Sequence, residues 1–431
     1  MNHLVWFRND LRTYDNTVLS TALKDANKVI AAYCFDPRHY LNSVYGFKKT
    51  DRFRSKFLIE TIQNLKENLA ALNIPMFIYT EKPEDCLPKL ISQQQITSIY
   101  FQKEWTSEEA AVEMALKTSV DNSIQFKSFY DQFLFHPEDI PFDAFSKIPN
   151  VYTDFRKKCE KYCFVREMLP QPEKLSEDNF IDTETNIPTL QQLGLEAYSE
   201  DTRTAFSFSG GEDPAWERIH SYFWKTEQLA TYKQTRNGLV GTEYSSKLSA
   251  WLANGSISSR SIYWEVKKFE KNVVKNQDTY WLVFELIWRD FFKYISLKHG
   301  NSIFKIGGIL QKSYNWNQSK KQLDNWILGN TTYDFVNANM SEIEQTGWMS
   351  NRGRQNVASF WAKELKQDWR IGAAYFESML IDYDVHSNWG NWMYVAGVGN
   401  DPRDRKFNIN SQAERYDPEN IFIDLWNNEH T

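Results

Sequence analysis

The sequence predicts an N-terminal α/β domain built on a doubly wound parallel sheet and an all-α C-terminal domain, joined by a long connector. A chain of 431 residues exceeds what one hydrophobic core usually organises, which favours two domains. Short apolar runs alternate with helical patterns near the start, and windows with the period of a helix dominate the second half. We place the α/β domain at residues 1–130, the connector at 131–212 and the helical domain at 213–431.

Four apolar runs are the predicted strands of the first domain: HLVWF, VIAAYCF, IPMFIYT and ITSIYFQ. Helical stretches such as RSKFLIETIQNLKENLAALN separate them, and this alternation is typical of a parallel sheet. The first strand runs into RNDLRTYDN, without the G-x-G-x-x-G turn of dinucleotide-binding proteins, and the chain has no Walker A sequence. These two modes of nucleotide binding are therefore excluded.

The connector and the second domain differ in composition. Residues 165–212 are rich in Pro, Glu, Asp, Thr and Ser and lack periodicity, which indicates a surface connector. Beyond it, AWERIHSYFWKTEQLATYK and SFWAKELKQDWRIGAAYFESMLI space their apolar residues as helices do. Fourteen of the sixteen tryptophans lie after residue 200, so stacking or electron transfer competes with core packing as their explanation.

Charge and cysteine content limit the classes of partner. The net charge is −6, and residues 201–431 hold 27 basic and 27 acidic side chains, so a nucleic-acid site requires a local basic patch in that half. The four cysteines include one C-x3-C pair without the second pair of a structural metal site, and we expect reduced thiols and no metal. The start, MNHLVWFRNDLR, is unlike a signal peptide and no apolar run is long enough to span a membrane, so we expect a cytoplasmic protein.

The segment 280–299, YWLVFELIWRDFFKYISLKH, is apolar almost all round, which predicts a buried helix. Glu285 and Arg289 lie four residues apart on one face of it. Burying either group is costly unless it is paired with the other or with a ligand. An internal ion pair and the wall of a binding site are both open interpretations.

Two further clusters suit anionic ligands. In GTEYSSKLSAWLANG, hydroxyl groups and Lys247 gather before a helical stretch, which fits a phosphate cradle as well as an ordinary helix cap. In GWMSNRGRQN, Asn351, Arg352 and Arg354 suit recognition of an anion or a base, and an exposed basic turn is the alternative.

A fourth cluster, LIDYDVHSNWGNWMY, places polar side chains between apolar runs. Asp382, Asp384, Asn388 and Tyr394 suggest a loop that lines a ligand. Only His386 could add a nitrogen ligand there, so a metal site is not expected. We find no serine–histidine–acid motif.

These clusters, in this order and at these spacings, resemble the flavin-binding domain of photolyases and cryptochromes. The resemblance runs from WFRNDLRTYDN through FELIWRDFF and GWMSNRGRQN to AERYDPENIF, and so covers nearly the whole chain. The DASH cryptochromes are suggested by YTDFRKKCE, HGNSIFKIGG, Gln355, Tyr394 and the segment NDPRDRKFNINSQAERYDP.

The resemblance implies that the C-terminal domain binds FAD in a folded-back conformation. The residues carried over for the phosphates and ribose are Tyr232, Ser245, Ser246, Lys247, Leu248 and Ser249. Those carried over for the flavin are Arg289, Asn351 and Arg354, with Arg354 paired to Asp382, Asp382 and Asp384 at the ring edge and the ribose or adenine, and Asn388 beside flavin N5.

The resemblance also assigns residues to DNA and to electron transfer. Glu285, Trp288, Asn351 and Tyr394 would face the lesion, and Arg236, Arg352 and Arg405 would bind DNA phosphates. Trp392, Trp369 and Trp316 fall at the positions of a relay that carries electrons from the surface to the flavin.

The activity implied by the resemblance is that of a deoxyribodipyrimidine photolyase-type lyase, acting as a monomer. Driven by blue light, it would repair cyclobutane pyrimidine dimers by electron transfer from reduced FAD. UV-damaged single-stranded DNA is the preferred substrate, because a dimer in a duplex must first be extruded. A blue-light photoreceptor without essential repair activity is the alternative, and a flavoprotein or nucleotide-binding protein without photochemistry is a third hypothesis.

The family also places an antenna pigment between its two domains. In the DASH group this pigment is usually 5,10-methenyltetrahydrofolate, and Glu104 and Lys305 are the residues carried over for it.

Overall fold

The computed structural model describes residues 1–183 and 185–427. Its N-terminal part contains a five-stranded parallel sheet in the order β3-β2-β1-β4-β5. The strands are β1 (Asn2–Trp6), β2 (Lys28–Cys34), β3 (Met76–Tyr79), β4 (Ile96–Gln102) and β5 (Gln125–Phe129). This order reverses direction at β1, so the doubly wound sheet predicted from the alternating pattern is confirmed.

Helices cover both faces of this sheet. They are α1 (Thr17–Ala22), α2 (Arg52–Ala71), α3 (Pro83–Gln93) and α4 (Ser107–Ser119). Alternate residues of β1 point to opposite faces, as the pleat of a strand requires. Val5 joins the core formed with α1 and α2, whereas Leu4 and Trp6 join the core formed with α3 and α4.

The C-terminal part is helical, as predicted. Its helices are α6 (Glu212–Ile219), α7 (Tyr232–Thr235), α8 (Ser249–Asn254), α9 (Ser259–Asn272), α10 (Gln277–His299), α11 (Lys320–Ile327), α12 (Asp334–Thr346), α13 (Asn351–Ser359), α14 (Trp369–Met379), α15 (Val385–Ala396), α16 (Ile409–Tyr416) and α17 (Ile421–Asn427). Helix α10 begins with a capping box between Asn276 and Thr279 and runs through the core. It therefore offers a rigid support to the side chains along it.

The segment between these parts carries helix α5 (Tyr152–Tyr162) and packs against both of them. Leu193 and Leu195 are buried in the sheet core with α1 and α2, and Phe206 is buried in the helical core. The Asn179 side chain accepts a hydrogen bond from the Val29 amide and donates to the Val29 and Asn73 carbonyls. The boundaries at residues 130 and 212 stay a prediction.

The segment RNDLRTYDN after β1 joins the two parts. Arg12 and Arg260 are buried and paired with the buried Asp131, and Arg260 also pairs with Asp15. The carboxylate of Glu212, at the start of α6, accepts hydrogen bonds from the backbone amides of Thr13 and Tyr14. The loop that lacks a phosphate-binding glycine pattern thus holds the helical part in place.

Within the described residues, no helix has the length and apolar character needed to cross a membrane. Across residues 1–183 and 185–427, there is also no group of three or more His, Cys, Asp or Glu side chains that could hold a metal ion.

Candidate functional site

A cavity of about 560 Å³ opens into the helical part and brings together the four sequence clusters. Helix α10 forms one wall, the loop before α8 a second, and α13 with the segment from α14 to α15 a third. Residues at α7 and in the segment after α15 complete the lining. The predicted site residues that line it are Tyr232, Arg236, Ser245, Ser246, Lys247, Leu248, Ser249, Glu285, Trp288, Arg289, Asn351, Arg352, Arg354, Asp382, Asp384, Tyr394 and Arg405.

The loop before α8 presents Lys247 to the cavity from a fully enclosed position. Lys247 has a left-handed backbone, with φ of 62°, and its side chain is only 2% exposed. Arg218 fixes this loop by donating hydrogen bonds to the carbonyls of Ser245 and Ser246.

The Lys247 ammonium group lies 3.2 Å from the ring centre of Tyr244 and has no hydrogen-bond partner among the described residues. Burial lowers the pKa of Lys247 well below its usual value. A buried cation without a partner is costly, so this position suits an anionic ligand.

The α10 wall does not contain the internal ion pair that spacing alone allowed. Glu285 pairs instead with Arg236, at 2.7 Å, and Arg289 donates hydrogen bonds to the carbonyls of Gln132 and Leu252. The pKa of Glu285 is raised because its surroundings are poorly solvated, although the Arg236 charge opposes that effect. Of the two interpretations of Glu285 and Arg289, the wall of a site is the one that the structure favours.

Helix α13 holds the arginine cluster at the cavity. The Ser350 hydroxyl caps the helix by accepting a hydrogen bond from the Gly353 amide, at 2.9 Å. Arg354 pairs with Asp382 at 2.9 Å, which is the pair implied by the resemblance. The Arg352 guanidinium lies 4.4 Å from the ring centre of Tyr416 and donates a hydrogen bond to the Asn237 side chain. These contacts hold Arg352 at the rim of the cavity.

Asp384 closes the inner end of the cavity. It caps α15 by accepting a hydrogen bond from the Ser387 amide, and it accepts a second from the buried Lys293 ammonium at 2.8 Å. Burial would raise the pKa of Asp384, but Lys293, His386 and Arg289 together lower it. Asp384 therefore presents an ionised carboxylate to the cavity.

Four predicted residues lie behind the cavity wall. Asn388 is buried and donates to the Ala373 carbonyl. Trp392 and Trp369 are buried, whereas Trp316 is half-buried against Tyr314. Two of the three indoles thus lie in the core and the third lies nearer the surface, and their role as a relay stays a prediction.

A second cavity, of about 640 Å³, lies between the sheet domain and the helical part. Glu104 lines it and accepts a hydrogen bond from Gln102 at 2.9 Å. Lys305 does not line it, because its side chain is exposed and only its neighbour Phe304 reaches the cavity. The carry-over to Lys305 is therefore not supported by a contact.

Sequence reasoning missed several residues at these sites. Lys293 lies four positions after Arg289 and eight after Glu285, so helical spacing could have placed it on their face. Asp401 and Phe407 line the first cavity from a segment without regular structure, and no periodic signal marks them.

Comparisons with known proteins agree with this architecture. A model of the FAD binding domain of DNA photolyase matches residues 281–430, and a DNA photolyase model matches residues 3–174. Cryptochrome DASH from Gloeobacter violaceus is 45% identical over 425 residues, which are 98% of this chain and 85% of that protein. Cryptochrome DASH from Danio rerio is also 45% identical, over 97% of this chain and 81% of that protein.

Solved structures agree as well. The crystal structure of the Synechocystis cryptochrome superposes with a TM-score of 0.94 at 44% identity, covering 99% of this chain and 88% of that one. A bacterial class III photolyase from Agrobacterium tumefaciens gives a TM-score of 0.83 at 25% identity, covering 99% of this chain and 86% of that one. With identities this high over almost its full length, the chain belongs to the photolyase/cryptochrome family and, within it, to the DASH cryptochromes.

Proposed function

We propose that this protein repairs cyclobutane pyrimidine dimers by a blue-light-driven, FAD-dependent reaction and prefers single-stranded DNA. One observation carries the proposal. A single cavity combines a buried Lys247, whose ammonium group has no hydrogen-bond partner within the described part of the chain and suits the diphosphate of a nucleotide cofactor, with a wall of Glu285, Trp288 and Tyr394, which suits a base. Cofactor and lesion would then meet in one enclosed space.

The residues that would hold FAD fit the group chemically. Lys247 and the hydroxyls of Ser245, Ser246 and Ser249 suit phosphate oxygens, and the Arg354–Asp382 pair offers both charges to the polar edge of a flavin. When bound, FAD supplies the photochemistry, giving an electron to the dimer and receiving it back after the cyclobutane ring has split. The protein orients the two partners and excludes water.

The lesion would enter between aromatic and charged side chains. The rings of Trp288 and Tyr394 lie 6.1 Å apart, nearly perpendicular, and Arg405 donates a hydrogen bond to the Tyr394 hydroxyl. Stacking on such rings is tolerant of sequence, which suits a strand of arbitrary composition. Arg236, Arg352 and Arg405 at the rim would contact phosphates on either side of the extruded dimer.

Glu285 is suited to hydrogen bonding with a pyrimidine. A carboxylate oxygen of Glu285 can accept a hydrogen bond from a base N–H group, and the carboxyl can also donate to a base carbonyl when it carries a proton. On binding, Arg236 would exchange the Glu285 carboxylate for a DNA phosphate. Trp392, Trp369 and Trp316 would resupply electrons to keep the flavin reduced.

The second cavity would bind the antenna, for which 5,10-methenyltetrahydrofolate is the candidate. Glu104 suits the amino and ring N–H groups of a pterin. A photolyase from Sulfolobus tokodaii, 26% identical, has been solved with two FAD molecules, so a second flavin is the competing occupant. The absorption spectrum of the pigment released from the purified protein distinguishes a folate from additional FAD.

The test is a light-minus-dark assay of dimer reversal by the purified, photoreduced protein. Single- and double-stranded oligonucleotides that carry one thymine dimer are compared, with Glu285→Gln as the variant and Glu270→Gln, on α9, as the control. We expect light-dependent reversal, faster on the single strand and slowed at least tenfold by Glu285→Gln alone. A yellow, photoreducible protein that reverses no dimer would instead indicate a blue-light photoreceptor.

A further inference from the structure

Tyr152, the first residue of α5, lies against the back of Trp288. The two ring centres are 3.6 Å apart and the planes differ by 10°, which makes this a close face-to-face stack. Trp288 lines the cavity and Tyr152 does not. One face of the Trp288 indole is therefore covered by a second aromatic ring, while the residue remains open to the cavity.

A face-to-face stack is not the arrangement that aromatic rings adopt when left to themselves. Their quadrupoles favour offset or edge-on contacts with centres about 4.5–7 Å apart. Three contacts hold Tyr152 in place in spite of this preference. Its hydroxyl donates a hydrogen bond to the Phe284 carbonyl at 2.8 Å, and its ring meets the edges of Phe284 and Phe291.

The rest of α5 fixes that ring relative to α10. Arg156, one turn further along, donates hydrogen bonds to the Tyr280 hydroxyl and the Glu160 carboxylate, and the Tyr280 hydroxyl donates to Glu160 in turn. Phe155 and Cys159 are buried on the same side of α5 as Tyr152. The segment YTDFRKKCE thus packs along the half of α10 that carries Glu285 and Trp288 and is hydrogen-bonded to it.

We infer that Tyr152 is a positioning residue for DNA binding, which holds the Trp288 indole in the orientation that receives a base. A base stacking on the cavity side of Trp288 meets a ring that is already ordered, so less freedom is lost on binding. The inference rests on the proposed function, because it takes the ligand of Trp288 to be a base of the DNA strand. It assigns a role to a segment outside the cavity wall.

The test is a double-mutant cycle with Tyr152→Leu and Trp288→Leu. Affinities are measured for a single-stranded oligonucleotide with one thymine dimer and for the undamaged strand. Tyr152→Met keeps the packing volume without an aromatic face, Tyr152→Phe keeps the ring, and Tyr162→Leu removes an exposed tyrosine from the same helix as the matched control. FAD content and near-UV circular dichroism of each variant report on folding.

We expect Tyr152→Leu and Tyr152→Met to weaken binding about tenfold, the scale of one stacked base, and Tyr152→Phe and Tyr162→Leu to leave it within about twofold. In the Trp288→Leu protein, adding Tyr152→Leu should not weaken DNA binding any further. Unchanged affinity in both non-aromatic variants, or an equal loss with and without Trp288, would overturn the inference. If the wild type shows no preference for the dimer, the proposed function fails, and the cycle on the undamaged strand still decides the role of Tyr152.

Discussion

Lys247 and Glu342 are two buried titratable groups close to each other. The Lys247 ammonium group has no hydrogen-bond partner among the described residues, and the Glu342 carboxyl faces the Ser350 backbone amide. Glu342, on α12, is 0% exposed. Burial raises the pKa of Glu342 to about 8, against the attraction of Lys247 and Arg354. The raised pKa favours the neutral, protonated form of Glu342 at neutral pH, so stabilising the charged form of Lys247 is left to an anionic ligand.

The pH dependence of the free energy of unfolding should reflect the raised pKa of Glu342. At pH values below its usual pKa of 4.5, Glu342 is protonated in the folded and the unfolded state, so its titration does not lower the free energy of unfolding. As the pH rises towards 8, the unfolded chain loses this proton while the folded one keeps it, and the free energy of unfolding falls. In Glu342→Gln this dependence is absent, so from pH 5.5 to 8.5 the variant should gain about 3 kcal/mol relative to the wild type.

Denaturant titrations at both pH values measure this difference. Glu344→Gln, two residues further along α12 and half-buried at the surface, removes the same charge and serves as the control. Parallel pH profiles for the wild type and Glu342→Gln would show that Glu342 ionises normally.

The sequence clusters predicted which residues line the cavity better than they predicted the ion pairs that these residues form. The spacing of Glu285 and Arg289 allowed a pair between them, but Arg236, 49 positions earlier, pairs with Glu285. Such a contact depends on how α7 packs on α10, and no local pattern reports it. The Arg354–Asp382 pair was implied by the family resemblance alone, since 28 residues separate its members.

Among the secondary-structure elements, those with a strong apolar pattern were predictable. The run ITSIYFQ became β4 with the same bounds, Ile96–Gln102. Strand β5, QFKSF, was missed because it lies at the edge of the sheet and has no fully buried residue. Helix α5 was absorbed into the connector, although Tyr152, Phe155 and Cys159 are buried with helical spacing. The connector was assigned from the composition of residues 165–212, which follow this helix and are rich in proline and acidic side chains.

Helix α13 is an element whose start bears directly on the cavity, because Asn351, Arg352 and Arg354 all lie in its first turns. Ser350→Ala removes the cap, which we expect to cost about 1 kcal/mol and to loosen these side chains. Bound FAD should therefore dissociate several-fold faster, as followed by the fluorescence of the released flavin.

The matched control is Ser319→Ala, which removes the cap of α11 at a helix that does not line the cavity. Both variants should lose similar thermal stability, but only Ser350→Ala should release FAD faster. Equal release from the two variants would mean that α13 does not depend on its cap to present the arginines.

For the whole molecule, the arrangement of two parts around two cavities depends on a buried charge network. Arg12, Asp15, Asp131 and Arg260 are all at most 5% exposed, and they connect the loop after β1, the segment after β5 and the start of α9. Ala253, Arg289 and Asp384 line both cavities, so a displacement of these residues at one cavity would change the shape of the other. The sequence predicted two domains, but their contact surface joins residues that lie far apart in the chain, such as Arg54 and Glu377, 323 positions apart.

Removing Arg260 tests whether this network makes the two parts unfold as one. In Arg260→Met the buried carboxylates of Asp15 and Asp131 lose a shared partner, which should cost about 3–5 kcal/mol. Because the loss falls at the contact between the parts, calorimetry should show a single transition of the wild type broadening or splitting, with flavin released in the earlier step. Arg370→Met breaks a pair with the buried Asp368 inside the helical part and should lower the transition temperature without dividing it. If Arg260→Met also keeps one sharp transition, the apolar contacts of the connector, through Leu193, Leu195 and Phe206, are sufficient to couple the two parts.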